Sequence, residues 1–336
     1  MNNKEKKQSY LFYVGVDLSK EKFDAVSRFN CEEQQHRVFD NNKSGIKRFI
    51  RWLEDQDGFD IKHTLICMEH TGLYSRELVK ALVKINAFVW IESPLQIKKS
   101  LGFLRGKSDK IDSSRIAYYA EKYTDKARLV LSNNEVLQKL QDLLSARDRL
   151  LKTKGQLQRP LNELKRIDKA TYQDLIKINR PVINQLNKSL AQIKKEILTV
   201  INSDESIKRQ YQLVCSVKGV GMVLGVQLMV YTHGFTRMQN GRQLACYAGV
   251  APFEHTSGSS IKGRTHTSNF ANMTLKSTLH LAAISSIQHN PDLKKYYERK
   301  VGEGKSKMCV INAVRAKLLY RVLAVVKRGT PYQNVA

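Results

Sequence analysis

Four carboxylates stand at element ends in an order that few folds provide: Asp17, Glu69, Asp109 and Asp112. Asp17 follows the apolar run Tyr13-Val14-Gly15-Val16, and Glu69 closes Thr64-Leu65-Ile66-Cys67-Met68. Both runs read as buried strands. Asp109 and Asp112 precede Ile116-Ala117-Tyr118-Tyr119-Ala120, which puts them on the first turn of a predicted helix, where residues i and i+3 share a face. Strand-end acids and a helical Asp-x-x-Asp pair can converge at one edge of an α/β layer. Such hard oxygens suit Mg²⁺, which binds through a few carboxylates together with water and substrate phosphate. Two such ions can activate an attacking oxygen and stabilise a leaving one in phosphodiester chemistry. Any one of these acids alone reads as a solvated turn residue; their joint order carries the argument.

The charge balance points to the partner. With 57 Lys and Arg against 31 Asp and Glu, the net charge of +26 is the footprint of a protein that meets a polyanion. Nucleic acid fits this better than a membrane, because no run of about 18 apolar residues could span a bilayer. The stretch Met1 to Gln8 is polar and lacks the apolar core of a signal peptide. Five cysteines, at 31, 67, 215, 246 and 309, show neither CxxC nor zinc spacing and read as reduced thiols, so a cytoplasmic protein is expected.

Patterning divides the chain into a basic tail over 1–9 and three larger parts. Over 10–127, strands near 11–17, 23–29, 64–69 and 87–92 alternate with helices near 44–54, 75–86 and 111–122, an α/β layer. Over 128–212 strand signals vanish. Val136, Leu140, Leu144 and Leu151, then Leu186, Leu190, Ile193, Ile197 and Ile201, recur at helical spacing. This predicts long helices forming a coiled-coil connector, or an ordinary helical hairpin, broken near Pro160 and Pro181. The part over 213–330 is mainly helical. It opens on Lys218-Gly219-Val220-Gly221 before an apolar run, where free backbone N–H groups could meet a phosphate or simply turn between packed helices. After a predicted helix over 239–248, the stretch from Gly249 to Ser260 reads as a Ser/Gly loop followed by Lys262, Arg264 and His266. A serine there could be a nucleophile, although a linker explains the composition as well; His255 and His266 read as surface or packing residues.

Beyond these patterns the chain resembles, over nearly its whole length, the DEDD transposases of the IS-one-ten insertion sequences, which are relatives of the Piv DNA invertases. Tyr13-Val14-Gly15-Val16-Asp17-Leu18-Ser19-Lys20 is similar to the family's first-strand motif, and Met68-Glu69-His70-Thr71-Gly72 to its second. Lys107-Ser108-Asp109-Lys110-Ile111-Asp112-Ser113 resembles Lys-Thr-Asp-x-x-Asp-Ala, with serines replacing Thr and Ala. Gly219-Val220-Gly221 and Tyr247-Ala248-Gly249-Val250-Ala251-Pro252 resemble the second domain. The family's Ser-Lys-x-Gly-Asn-x-x-Leu-Arg stretch stands here as Ser268 to Lys276, so Lys276 replaces an Arg and its bidentate fork.

The resemblance implies a RuvC-like, ribonuclease H-like domain, a coiled-coil connector and a serine-bearing transposase domain. It implies Mg²⁺, two per site, on Asp17, Glu69, Asp109 and Asp112. It favours Ser257 as nucleophile, with Ser259 and Ser260 as neighbouring registers. It implies a tetramer that binds target and donor duplex DNA and a structured non-coding bridge RNA, with acids and serine drawn from different subunits. Arg105, Lys107, Lys110, Lys218, Gly219, Gly221, Lys262, Arg264 and Lys276 are the expected nucleic-acid contacts. Two alternatives use the same acids: a Piv-like invertase without a guide RNA, and a RuvC-like structure-specific endonuclease that uses water.

Overall fold

The computed structural model describes residues 9–70, 72–102, 106, 108–130, 134–238, 240–257 and 261–333, with backbone alone for 255–257, 261, 262 and 264. The chain forms two compact units, 1–133 and 134–336.

In the first unit, strands β1 (Phe12–Leu18), β2 (Lys22–Phe29), β3 (Glu32–Asp40), β4 (Thr64–Glu69) and β5 (Phe88–Glu92) make one sheet in the order β3-β2-β1-β4-β5. The first three strands run antiparallel, and β4 and β5 run parallel to β1. This mixed sheet is compatible with a RuvC-like domain. Strand alternation sorts the side chains onto two faces. Phe12, Val14, Val16, Ile66, Met68 and Val89 pack into one cluster with α1 (Lys43–Glu54) and α2 (Arg76–Lys84), which supply Phe49, Trp52, Leu78 and Leu82. The alternate residues Tyr13, Leu65, Cys67 and Trp90 meet Ile116, Tyr119 and Ala120 of α4 (Asp109–Lys122), with Ile97 of the short α3 (Pro94–Ser100).

Two of these elements escape the sequence reading. Strand β3 is Glu-Glu-Gln-Gln-His-Arg-Val-Phe-Asp, of which Phe39 alone is buried, so no apolar alternation announces it. It is a charged edge strand, a common guard against edge pairing. Helix α3 is a single short segment of seven residues.

The second unit is mostly helical. Helices α5 (Glu135–Ile167) and α6 (Lys169–Asn202) form an antiparallel hairpin, joined along its length by Lys139 to Glu196 at 2.9 Å and Lys154 to Asn187 at 2.7 Å. Pro160 and Pro181 lie inside these helices, contrary to the expected breaks. Each proline removes one N–H donor, which helices of 33 and 34 residues packed on each other absorb. The chain reverses at Asp168, whose carboxylate caps α6 by accepting the N–H groups of Ala170 and Thr171 at 3.0 and 3.1 Å.

The base of the hairpin is core. Leu137, Leu140, Leu144, Ile197, Val200 and Ile201 join residues of α7 (Glu205–Cys215), α8 (Met222–Tyr231), α9 (Gly241–Tyr247), α10 (Met273–His289) and α12 (Lys307–Arg328) in one cluster. Ile197 is fully buried there, so part of the apolar stripe serves this packing. Helix α11 (Pro291–Gly302) follows α10 after Asn290, which caps it. Between α9 and α10 lies an antiparallel ribbon, β6 (Pro252–Ser257) and β7 (Ile261–Thr267). Within the Ser/Gly loop expected from composition, Pro252 to Ser257 is therefore strand, because pairing with β7 satisfies backbone groups that composition alone leaves unassigned.

Candidate active site

Register builds the acidic site. Asp17 pairs with Asp24 across β1 and β2, and Glu69 pairs with Glu92 across β4 and β5. Val16 pairs with Met68, which sets Asp17 beside Glu69 one step further along their parallel strands. Asp24, Asp17, Glu69 and Glu92 thus form one row across four strands, on the face that α4 covers. Helix α4 reaches this row because Gly15 has no side chain. A Cβ there would lie 2.1 Å from the Ser113 carbonyl oxygen and 2.2 Å from the Ala117 nitrogen. The N-terminus of α4, capped by Ser108 Oγ accepting the Ile111 N–H at 3.2 Å, carries Asp109 and Asp112.

Electrostatics shows which acids share a field. The Glu69 carboxyl is raised above its ordinary pKa by burial first and then by the negative charges of Asp17 and Asp112. Those two charges therefore act on Glu69 through space. Asp109 is exposed, and its carboxylate takes Lys22 Nζ at 2.8 Å; Lys22 also lies 3.7 Å from Asp24. Asp112 accepts from Arg115 at 2.9 Å. Lys22 is pushed up, chiefly by its bond to Asp109. Asp24, almost fully buried, accepts from or pairs with His36 Nε2 at 2.8 Å. Glu92 accepts the Ser93 N–H at 2.7 Å, and its charge adds to the burial that raises Tyr119.

Among the described residues no three acids, histidines or cysteines close into a set that would already grip a metal. The donor chemistry nevertheless fits a hard dication, since Asp17, Glu69 and Asp112 are oxygen donors whose mutual repulsion such an ion would relieve. Asp24, Glu92, Lys22 and Arg115 were not anticipated. Asp24 and Glu92 both end or border apolar runs, but their alignment with Asp17 and Glu69 is a property of register, which a single sequence does not print.

In the second unit, Ser257 ends β6 and pairs with Ile261, while Lys262 pairs with Thr256. Ser259 and Ser260 lie outside the described residues. At the foot of this ribbon, Gly249 takes φ +66° and turns the chain from α9 into β6, with Ala271 so close that a Cβ would lie 2.4 Å away. Gly219 likewise has φ +94°, and a Cβ would collide with Ser286 Oγ at 1.7 Å. This accounts for Gly219 by turn and packing. Gly221 precedes α8 as its N-cap and faces open space. A cleft of about 590 Å³ opens beside it, lined by Arg147, Lys194, Leu190 and Leu281 among others.

Comparison with known proteins decides the family. A DEDD transposase model of the IS110 type matches residues 14–167, and a model described as "Transposase IS116/IS110/IS902 family" matches 211–298. The chain belongs to the IS110 family of transposases. It is 29% identical over 328 residues to a pilin gene-inverting protein of Moraxella bovis, covering 96% of this chain and 98% of the relative. An IS110 insertion-element protein of Streptomyces coelicolor is 29% identical over 122 residues, or 36% of this chain and 30% of that protein. An IS900 insertion-element protein of Mycobacterium paratuberculosis is 25% identical over 154 residues, 43% of this chain and 38% of that one.

The two IS110-family matches bracket the acid row and the ribbon separately. Of the expected nucleic-acid contacts in this family member, Arg105 and Lys107 lie outside the described residues. Lys110 and Lys218 are exposed. Lys262 and Arg264 lie on β7. Lys276, on the first turns of α10, reaches Thr267 Oγ1 at 3.3 Å. Like other transposases and DNA invertases, the family acts on DNA. Among the described residues no helix is long and apolar enough to cross a membrane.

Proposed function

We propose that this IS110-family protein cuts and rejoins DNA through a serine-linked intermediate, guided by a structured bridge RNA and working as a tetramer. The observation that carries the reading is the acidic row, in which register sets Asp17 beside Glu69 and Glu69 is raised first by burial and then by the charges of Asp17 and Asp112, an imbalance of a kind common at catalytic sites. Asp17, Glu69 and Asp112, with Asp109 once released from Lys22, would hold Mg²⁺. When bound, the ion supplies charge stabilisation to the scissile phosphate.

The residues then divide the work. Ser257 Oγ attacks phosphorus, forming one O–P bond as the P–O bond to a deoxyribose oxygen breaks; the proton given up by the serine passes to solvent while the departing oxygen takes one from solvent, leaving a sugar hydroxyl that can attack the phosphoserine in the rejoining step. The phosphoserine bond conserves the phosphodiester for rejoining. Surplus basic charge holds the polyanion, so duplex binding weakens with salt at a log–log slope of about −0.9 per neutralised phosphate. A flat response would assign the charge to solubility instead. The domain bounds 10–127, 128–212 and 213–330 follow this division, with the connector helices as the expected coiled-coil contact between subunits.

A second reading, site-specific inversion, is favoured by one observation: the pilin gene-inverting protein matches end to end. The chemistry is the same and the arrangement of DNA sites differs. A denaturing gel of protein with end-labelled insertion-element DNA, its transcript and Mg²⁺ tests both. Wild-type protein gives a protein-linked DNA band. Ser257→Ala removes the band while DNA binding persists. Asp17→Asn and chelation by EDTA each remove strand joining. Cleavage without any linked band, unaffected by Ser257→Ala, would assign the chain to hydrolysis by water.

A further inference from the structure

Helix α12 carries one deeply buried charge through the core of the second unit. Arg315 is 7% exposed. Its Nη2 meets His280 Nδ1, its Nη1 donates to Asn312 Oδ1 at 3.4 Å, and its Nε is buried with no partner. None of these contacts is a carboxylate. A guanidinium cannot discharge itself by losing a proton as a buried lysine can, so the site keeps a positive charge that nothing among the described residues neutralises.

The contact also fixes the imidazole. Arginine only donates, so His280 Nδ1 is the acceptor and the ring proton sits on Nε2. Burial and the Arg315 charge both push His280 below its ordinary pKa, which keeps the ring neutral. His280 is therefore a donor through Nε2 and not a base. Lys276 stands four residues earlier on α10, on the same face. Both groups are tied to the foot of the ribbon: Lys276 Nζ to Thr267 Oγ1 at 3.3 Å, and Arg315 through Asn312, whose Nδ2 donates to the Val250 carbonyl at 2.9 Å. Lysine, imidazole donor and buried guanidinium thus gather where α9 turns into β6.

We propose that Lys276, His280 and Arg315 form a phosphate-binding pocket at the foot of the β6–β7 ribbon. Lys276 and the His280 Nε2–H contact the anion; Arg315 is a positioning residue that sets the histidine tautomer and supplies fixed charge. The inference rests on the DNA reading for its ligand, a backbone phosphodiester held close to the strand that carries Ser257.

Inorganic phosphate tests the pocket without requiring recombination. Full-length protein labelled with ¹⁵N-histidine should show one ring, lost in His280→Asn, in the Nε2–H form, and phosphate at constant ionic strength should move its Nε2 resonance. Line broadening in ³¹P spectra should show Lys276→Gln and His280→Asn binding phosphate about tenfold more weakly. His280→Gln, which keeps an amide donor near the Nε2 position, should bind within a few-fold of wild type. Arg315→Met should mix the two tautomers as well as weaken binding. Circular dichroism confirms that each variant is folded. An Nδ1–H tautomer in wild type, or phosphate binding unchanged in folded Lys276→Gln and His280→Asn, overturns the pocket. Phosphate binding with these sensitivities in a chain that never joins DNA upholds the pocket and sinks the DNA reading alone.

Discussion

The two units hold opposite electrostatic imbalances. In the first, Glu69 is raised by burial and by two neighbouring carboxylates, and the negative charge is partly met by Lys22 and Arg115 at its margin. In the second, Arg315 is buried against an imidazole and an amide with no acid beside it. Packing alone would remove both, because replacing an uncompensated buried charge by an apolar or neutral group often leaves stability unchanged or higher. On the readings proposed above, each imbalance would be met by a ligand of the opposite sign: a cation at the acids and a phosphate beside the guanidinium.

Three substitutions probe this contrast, beginning with the largest expected effect. Gly15→Ala places a methyl group against the backbone of α4, 2.1 Å from the Ser113 oxygen, so either the helix or the sheet shifts. A loss of about 3 kcal/mol is expected by urea titration, with Asp109 and Asp112 of α4 moved relative to the row. Unchanged stability would mean that α4 is not seated by this glycine. Arg315→Met should leave stability equal or raise it by up to about 2 kcal/mol while weakening phosphate binding. A loss of several kcal/mol would instead make the guanidinium a structural strut and end the symmetry between the units.

Glu69→Gln should have the smallest effect, with a sign set by pH. Glu69 has an ordinary pKa of 4.5 and a raised one in the fold. Below both values the carboxyl is neutral in either state and the substitution changes little. As pH rises past 4.5 the unfolded chain ionises first, which costs the wild-type fold stability until folded Glu69 also ionises. The variant should therefore melt higher than wild type near neutral pH and alike in acid. A variant that melts lower at neutral pH would show Glu69 to be held by unrecognised donors.

Much of the first unit was legible because its strands are apolar runs closed by charged residues. Thr64–Glu69 is found at its bounds, and Asp17 and Glu69 at strand ends. What the sequence hid were features that depend on a partner strand: the polar β3, visible only through its pairing with β2, and the alignment of Asp24 and Glu92 with the two recognised acids. The second unit misled for related reasons. A proline usually ends a helix, yet α5 continues past Pro160 and α6 past Pro181, each alongside the other. Gly249 to Ser257 has loop composition, yet β7 recruits most of it as strand. Arg315 gave no signal at all, since an arginine inside an apolar helical pattern looks like any surface position until its burial is known.

Because Asp24, Asp17, Glu69 and Glu92 occupy a single pleat across four hydrogen-bonded strands, the sheet acts as a ruler. Its graduations are about 4.8 Å apart, close to the roughly 3.5–4 Å that separates paired catalytic ions. A substitution can erase one mark but cannot stretch the scale, which belongs to the backbone hydrogen bonds of every strand at once.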